Sequence, residues 1–156
     1  MTTPMKEFVI RPMLCEDLVE VLAIERCTHS PAWSRQNFVS ELRNACAYAF
    51  VAHDGQRLLG YLAFWMICDE VHLLNLAIHP DFRGCGIGGR LMRFLIHFSH
   101  DHGAKWIGLE VRRSNHKARA MYCQYGFREN GVRQAYYQNN HEDGIVMECR
   151  LDREPI

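Results

Sequence analysis

The chain has 156 residues, of which 48% are hydrophobic and 23% charged, enough for one soluble globular domain with its own core. Lysine plus arginine and aspartate plus glutamate both number 18, so no net field draws the chain toward nucleic acid or a membrane, and direct binding to either is not expected. Seven cysteines without a Cys-x-x-Cys pair read as buried or incidental reduced thiols, and the opening MTTPMKEF lacks the apolar core of a signal peptide, which makes the cytoplasm the default.

Phe8 to Met13 reads as a short first strand closed by Pro12. From Glu16 the spacing of Leu18, Val21, Leu22 and Ile24-Glu25 predicts a helix, with Glu16 and Asp17 in its first turn. His29 to Trp33 is a loop, and Ser34 is the expected N-cap of a second helix through Phe38 and Leu42 that ends near Asn44. Strand-like alternation follows. Ala47 to His53, the Asp54-Gly55 turn and Leu58 to Ile67 predict an antiparallel hairpin, and Glu70 to Ile78 a further strand after Cys68-Asp69. Gly86 to His100 is the best helix of the chain. Trp106 to Val111 is a strand, Asn115 to Tyr125 a helix stopped by Gly126, and about Arg128 to Tyr136 and Gly144 to Leu151 the last two strands. The order β-α-α-β-β-β-α-β-α-β-β implies helices on a mixed, mostly antiparallel seven-stranded sheet, a single α/β domain over residues 1–156.

The densest signal is Leu73 to Gly89, LLNLAIHPDFRGCGIGG. Glycines crowded at a helix start allow close backbone approach and leave N–H groups without partners, which favours a phosphate-bearing ligand. Gly84-Cys85-Gly86-Ile87-Gly88-Gly89 satisfies G-x-G-x-x-G, and Glu110 stands near the position of a ribose-binding acid. The context argues against a dinucleotide. His79 to Arg83 intervenes between strand and first glycine, an antiparallel hairpin precedes the motif, and too little chain follows for two βαβαβ halves.

Arg83-x-x-Gly86-x-Gly88 after a strand and a short Pro loop resembles the pyrophosphate-binding motif of the GNAT superfamily of acetyl-CoA-dependent N-acetyltransferases, and the element order resembles that fold over essentially the whole chain. One branch matches further. Glu110-Val111-Arg112, Ser114-Asn115, Ala118, Ala120, Tyr122 and Gly126-Phe127 resemble the signature of the RimI-type ribosomal-protein alanine N-acetyltransferases. Trp33-Ser34, Asp69-Glu70, Arg133-x-x-Tyr136-Tyr137 and Glu142-Asp143…Met147 follow in the same order.

Acetyl transfer to an amine needs a base and a proton donor for the departing thiolate. A free carboxyl titrates near ~4.3 and a phenol near ~10, so glutamate and tyrosine start in the right states at neutral pH. Alternation puts Gly108, Glu110 and Arg112 on one strand face. Glu110 there is either a salt-bridge partner, with Arg112 a candidate, or a general base; the resemblance implies the base, acting directly or through a water. Tyr122 would pass for a packing aromatic, and the resemblance implies the proton donor to coenzyme A. It further implies that Arg83, Gly84, Cys85, Gly86, Ile87, Gly88 and Gly89 hold the pyrophosphate. Leu76, Ala77 and Ile78 pair with the pantetheine arm, and Asn115, an N-cap by position, adds a polar contact. Trp33, Tyr136 and Tyr137 would wall the acceptor site, with Glu142 or Asp143 attracting positive charge. Ser30-Pro31-Ala32-Trp33 departs from the aromatic-proline-tryptophan run of the branch, which bears on the first-residue pocket.

Cys123 as an acetyl carrier is less favoured than a buried inert thiol, because adjacent helical residues point about 100° apart. His97, His100 and His102 read as surface histidines, and no metal is expected. The implied activity is acetyl-CoA-dependent acetylation of a protein N-terminus, the first candidate being the N-terminal alanine of a small-subunit ribosomal protein. The alternatives are acetylation of a small amine or a lysine side chain, and a non-catalytic acetyl-CoA sensor.

Overall fold

The computed structural model describes residues 7–151. Among them the elements follow the predicted order: β1 (Val9–Pro12), α1 (Leu18–Thr28), α2 (Arg35–Arg43), β2 (Ala47–His53), β3 (Leu58–Ile67), β4 (Glu70–Ile78), α3 (Ile87–Asp101), β5 (Trp106–Arg112), α4 (His116–Gln124), β6 (Arg128–Tyr137) and β7 (Glu142–Arg150). Short 3-10 turns occupy Cys15–Asp17 and Pro80–Phe82. The strands form one seven-stranded sheet in the order β1-β2-β3-β4-β5-β7-β6. β1 with β2, β2 with β3, β5 with β7 and β6 with β7 pair antiparallel, and β4 with β5 pairs parallel. This is the expected mixed, mostly antiparallel α/β fold.

Among the described residues the backbone divides into two compact units, residues 7–65 with 74–94, and residues 66–73 with 95–151. In the first, α1 and α2 lay their apolar stripes against strands. Met13, Leu18, Val21, Ile24, Phe38, Val51, Leu58, Tyr61 and Ala77 form a buried cluster, with Trp33 and Leu42 packed against it. Helix α1 starts later than Glu16. Asp17 accepts from the Leu14 N–H at 2.8 Å and pairs both carboxylate oxygens with the Arg11 guanidinium, so it closes a 3-10 turn and leaves the helix to begin at Leu18. Ser34 caps α2 as expected. The Asn37 N–H donates to its Oγ at 3.1 Å and its own N–H donates to Asn37 Oδ1 at 2.9 Å, a reciprocal box that satisfies both groups.

In the second unit β5 alternates half-exposed Trp106, Gly108, Glu110 and Arg112 with buried Ile107, Leu109 and Val111, the period-2 pattern of a one-sided strand. Its register on β7 sets Gly108 against Glu148, Glu110 against Val146 and Arg112 against Gly144. The last hairpin is tighter than predicted. Strand β6 runs to Tyr137 and β7 begins at Glu142, so only residues 138–141 form the loop. Asp143 holds the extra length by accepting from the Ala135 N–H at 3.0 Å and, through its carbonyl, from the Arg113 N–H at 3.1 Å. The register shifts between Arg133 and Tyr137, where Ala135 takes a φ of 51°, a bulge that re-aims the tyrosines that follow.

Candidate active site

In the first unit the glycine stretch forms a turn into a helix. Strand β4 ends at Ile78, the 3-10 turn Pro80–Phe82 is capped by His79 Nδ1, and Arg83 to Gly86 lead into α3. Gly84 and Gly86 hold φ of 76° and 85°, the left-handed region that an L side chain enters at a cost. Helix α3 starts with the Arg90 N–H bonded to the Gly86 carbonyl at 3.2 Å. The N–H groups of Ile87, Gly88 and Gly89 therefore precede the first intrahelical donor and are suited to an anion.

The same unit carries a buried carboxylate. Glu25 on α1 is 0% exposed. Its Oε1 accepts from Tyr61 Oη at 2.5 Å, Asn75 Nδ2 at 3.0 Å and His29 Nδ1 at 2.6 Å, and its Oε2 from the Trp33 N–H at 2.8 Å. Burial alone would raise its pKa. The bond and charge of His29, with the Trp33 and Tyr61 donors, outweigh that and hold it at about 2. Both ends of the His29–Trp33 loop are thus tied to one anion. Trp33 is half-buried with its ring 5.1 Å from that of Phe38.

In the second unit Glu110 does not pair with Arg112. Its Oε2 accepts from His72 Nε2 at 2.6 Å and its Oε1 from Arg133 Nη1 at 3.2 Å. Residues two apart on a strand share a face about 6.6 Å apart, within reach of such side chains, but here Glu110 finds its partners on β4 and β6 and Arg112 finds its own in the last hairpin. The His72 bond pulls the Glu110 carboxyl below its ordinary range; burial opposes this, and the charges of His72 and Arg133 add to the fall. Arg112 instead holds the last hairpin. It donates to Asn139 Oδ1 at 2.8 Å, Asn140 Oδ1 at 3.0 Å and Glu142 Oε1 at 3.3 Å, and its guanidinium lies 4.0 Å from the Tyr137 ring centroid. Glu142 also accepts from the Ser114 N–H at 2.7 Å, and Asp143 pairs with Arg113 at 3.3 Å. Both acids expected to draw positive charge are thereby engaged within the protein.

Tyr122 on α4 is buried, its ring 5.6 Å from that of Phe127. Among the described residues none hydrogen-bonds its hydroxyl. Burial and the neighbouring Tyr137 push its pKa up to about 12, so it carries its proton at neutral pH. Tyr136 is exposed and Tyr137 half-buried, in an edge-on pair with centroids 5.1 Å apart. Asn115 is the N-cap of α4, its Oδ1 accepting from the Ala118 N–H at 3.2 Å.

The model of the acetyltransferase (GNAT) family matches residues 15–127. The chain belongs to the GNAT acetyltransferase family. It is similar to the ribosomal protein bS18-alanine N-acetyltransferase of Salmonella typhimurium (strain LT2), 33% identical over 133 residues, which are 84% of this chain and 89% of that one. The crystal structure of the ribosomal-protein-S18-alanine N-acetyltransferase from Escherichia coli is similar at a TM-score of 0.87 and 29% identity, covering 94% of this chain and 96% of that chain. The paia N-acetyltransferase from Thermoplasma acidophilum, solved in complex with coenzyme A, shares the fold at a TM-score of 0.77 and 19% identity over 92% of this chain and 99% of that chain. As a GNAT protein the chain is an N-acetyltransferase, and the resemblance to the RimI-type branch holds.

Within this GNAT chain, sequence reasoning missed two residues. Glu25 was legible as a carboxylate on the apolar stripe of Leu18, Val21 and Leu22, where only an internally satisfied charge is stable. His72 lay on the half-exposed face of β4 with Leu74 and Leu76. Its meeting with Glu110 depends on a parallel pairing that the residues do not announce. Cys123 corrects an expectation: its helix turns it outward, so it is exposed, as are Cys15, Cys27, Cys46 and Cys68, while Cys149 is buried. His97, His100 and His102 are surface residues. Among the described residues no helix is long and apolar enough to cross a membrane.

Proposed function

We propose that this chain acetylates the α-amino group of a protein N-terminus, and that its acceptor is the N-terminal alanine of a small-subunit ribosomal protein, a cytoplasmic reaction. The observation that carries the proposal is its likeness to ribosomal protein bS18-alanine N-acetyltransferases over most of both chains.

Acetyl-CoA supplies the activated acetyl group as co-substrate. The turn from Arg83 to Gly89 fits it: two left-handed glycines and a helix start with unpaired N–H groups suit a pyrophosphate. Leu76, Ala77 and Ile78 on β4 offer backbone to the pantetheine arm as an added strand would, and Asn115 adds a polar contact. An α-ammonium gives up its proton at roughly 7.7–8.0. Glu110, ionised and partly exposed, takes that proton directly or through one water. Tyr122, protonated and without a hydrogen-bond acceptor for its hydroxyl among the described residues, gives its proton to the departing thiolate. Trp33, Tyr136 and Tyr137 contact the acceptor's first residues. The acids at Glu142 and Asp143 contribute by bracing the hairpin, with Asp143 beside the acceptor.

Mass spectrometry of ribosomal-protein N-termini incubated with the enzyme and acetyl-CoA tests this reading. One acetyl group on a single alanine-initiating protein is expected. Transfer only to polyamines or lysine side chains would overturn it.

A further inference from the structure

Glu110 is held at both oxygens, by His72 at 2.6 Å and Arg133 at 3.2 Å, with its side chain 15% exposed. The register explains the first contact. In the parallel ladder His72 stands opposite Gly108, which has no side chain, so the imidazole reaches past it to the next residue on that face. A carboxylate accepts from an N–H, so His72 donates through Nε2 whether its ring is neutral or cationic.

The two states of the ring treat Glu110 differently. A cationic imidazolium forms an ion pair that stabilises the carboxylate as an anion and weakens it as a base. A neutral imidazole leaves a weaker hydrogen bond and a more basic carboxylate. The other charged or titratable side chains toward this face are Glu70 on β4, Arg112 on β5, Arg128, Arg133 and Tyr137 on β6, and Glu142, Glu148 and Arg150 on β7, with Tyr122 on α4 beside Tyr137. Tyr122 and Tyr137 are both pushed up to about 12 and stay neutral. Carboxylates and guanidinium groups keep their charge near neutral pH, where an imidazole is the side chain able to change its own.

We propose that His72 is a positioning residue that sets the pH range in which Glu110 can take the proton of the acceptor amine. The step itself balances simply: an N–H bond of the α-ammonium breaks, an O–H bond forms on Glu110, and the Nε2–H bond of His72 persists throughout. When a proton from solution converts the ring to imidazolium, the pair goes from net negative to neutral and Glu110 ceases to act as base. This rests on the assignment of Glu110 as base.

The test compares kcat/KM from pH 5.5 to 7.5 for wild type, His72→Gln and Glu110→Gln, with acetyl-CoA and an alanine-initiating peptide. The peptide amine titrates identically in every case, so it cancels in the ratio of variant to wild type. Glutamine at position 72 can keep an N–H donor toward Glu110 but never becomes cationic. The His72→Gln to wild-type ratio is expected to rise severalfold as pH falls from 7.5 to 5.5. A flat ratio, with Glu110→Gln down by about a hundredfold or more, overturns the role of His72 and leaves Glu110 as base. Near-normal turnover of Glu110→Gln overturns that assignment and the inference with it. His72→Asn serves as the second variant should His72→Gln melt below the assay temperature, with the same rise expected and the same flat ratio decisive against it.

Discussion

Tyr61 on β3 donates its hydroxyl proton to Glu25 on α1 at 2.5 Å, joining residues 36 apart in sequence inside the core of the first unit. The anion is satisfied by four donors, two from the His29–Trp33 loop and one each from β3 and β4. Replacing it by glutamine sets an amide donor against donors that had an anionic acceptor. Glu25→Gln is expected to lower stability by about 3 kcal/mol, and Tyr61→Phe by about 1.5–3 kcal/mol. The sign with pH follows from a folded-state value depressed from 4.5 to about 2. The contribution is fully present above the ordinary carboxyl range and is lost as pH falls through 4.5 toward 2. Urea unfolding between pH 2 and 7 should show that loss in wild type and a shallower one in Glu25→Gln.

Removing the Tyr122 hydroxyl takes away no internal hydrogen bond among the described residues. Tyr122→Phe is therefore expected to keep its melting temperature and its acetyl-CoA affinity while kcat falls by about 10²–10⁴-fold. Calorimetric titration with acetyl-CoA and steady-state rates decide it. A variant turning over near the wild-type rate would show that Tyr122 is only a packing aromatic.

Gly86 holds a φ of 85° at the mouth of α3. A Cβ there costs about 1–2 kcal/mol in the left-handed region, and the backbone can relieve the strain only by moving the N–H groups that follow. Gly86→Ala is expected to weaken acetyl-CoA binding by about tenfold or more, with kcat at saturation less affected. Titration of the variant with coenzyme A measures it. An unchanged dissociation constant would remove the cradle from the site.

Arg112 ties Asn139, Asn140 and Glu142 together and stacks on Tyr137. Lysine keeps the charge but not the fork that meets three acceptors. Arg112→Lys is expected to reduce kcat/KM for the peptide by roughly ten- to a hundredfold, mostly through KM, with the KM of acetyl-CoA unchanged. If both constants shift together, the hairpin does not serve the acceptor alone.

Much of this was legible in local pattern. The alternation of Ile107 to Arg112, the capping serine at 34, the glycines at 84 and 86 and the apolar stripe of α1 each follow from contacts within a few residues. Even the tight last hairpin was misjudged by only a few positions, because Asp143 bonds backward to Ala135 across the turn.

What the sequence by itself determined is therefore the order of the elements and a glycine turn suited to an anion, since strand period, helix period and glycine conformation are properties of neighbouring residues, while the family was legible through the resemblance of its motifs. What only the tertiary structure decided is who partners whom. Glu110 could as easily have met Arg112 by sequence. It meets His72 and Arg133 because β4 pairs parallel to β5 with a glycine opposite the imidazole, and because β6 joins through β7. Glu25 gathers Tyr61 and Asn75 for the same reason. Charges find partners across strands, and the strand order that brings them together is set by the burial of apolar faces rather than by the charges themselves.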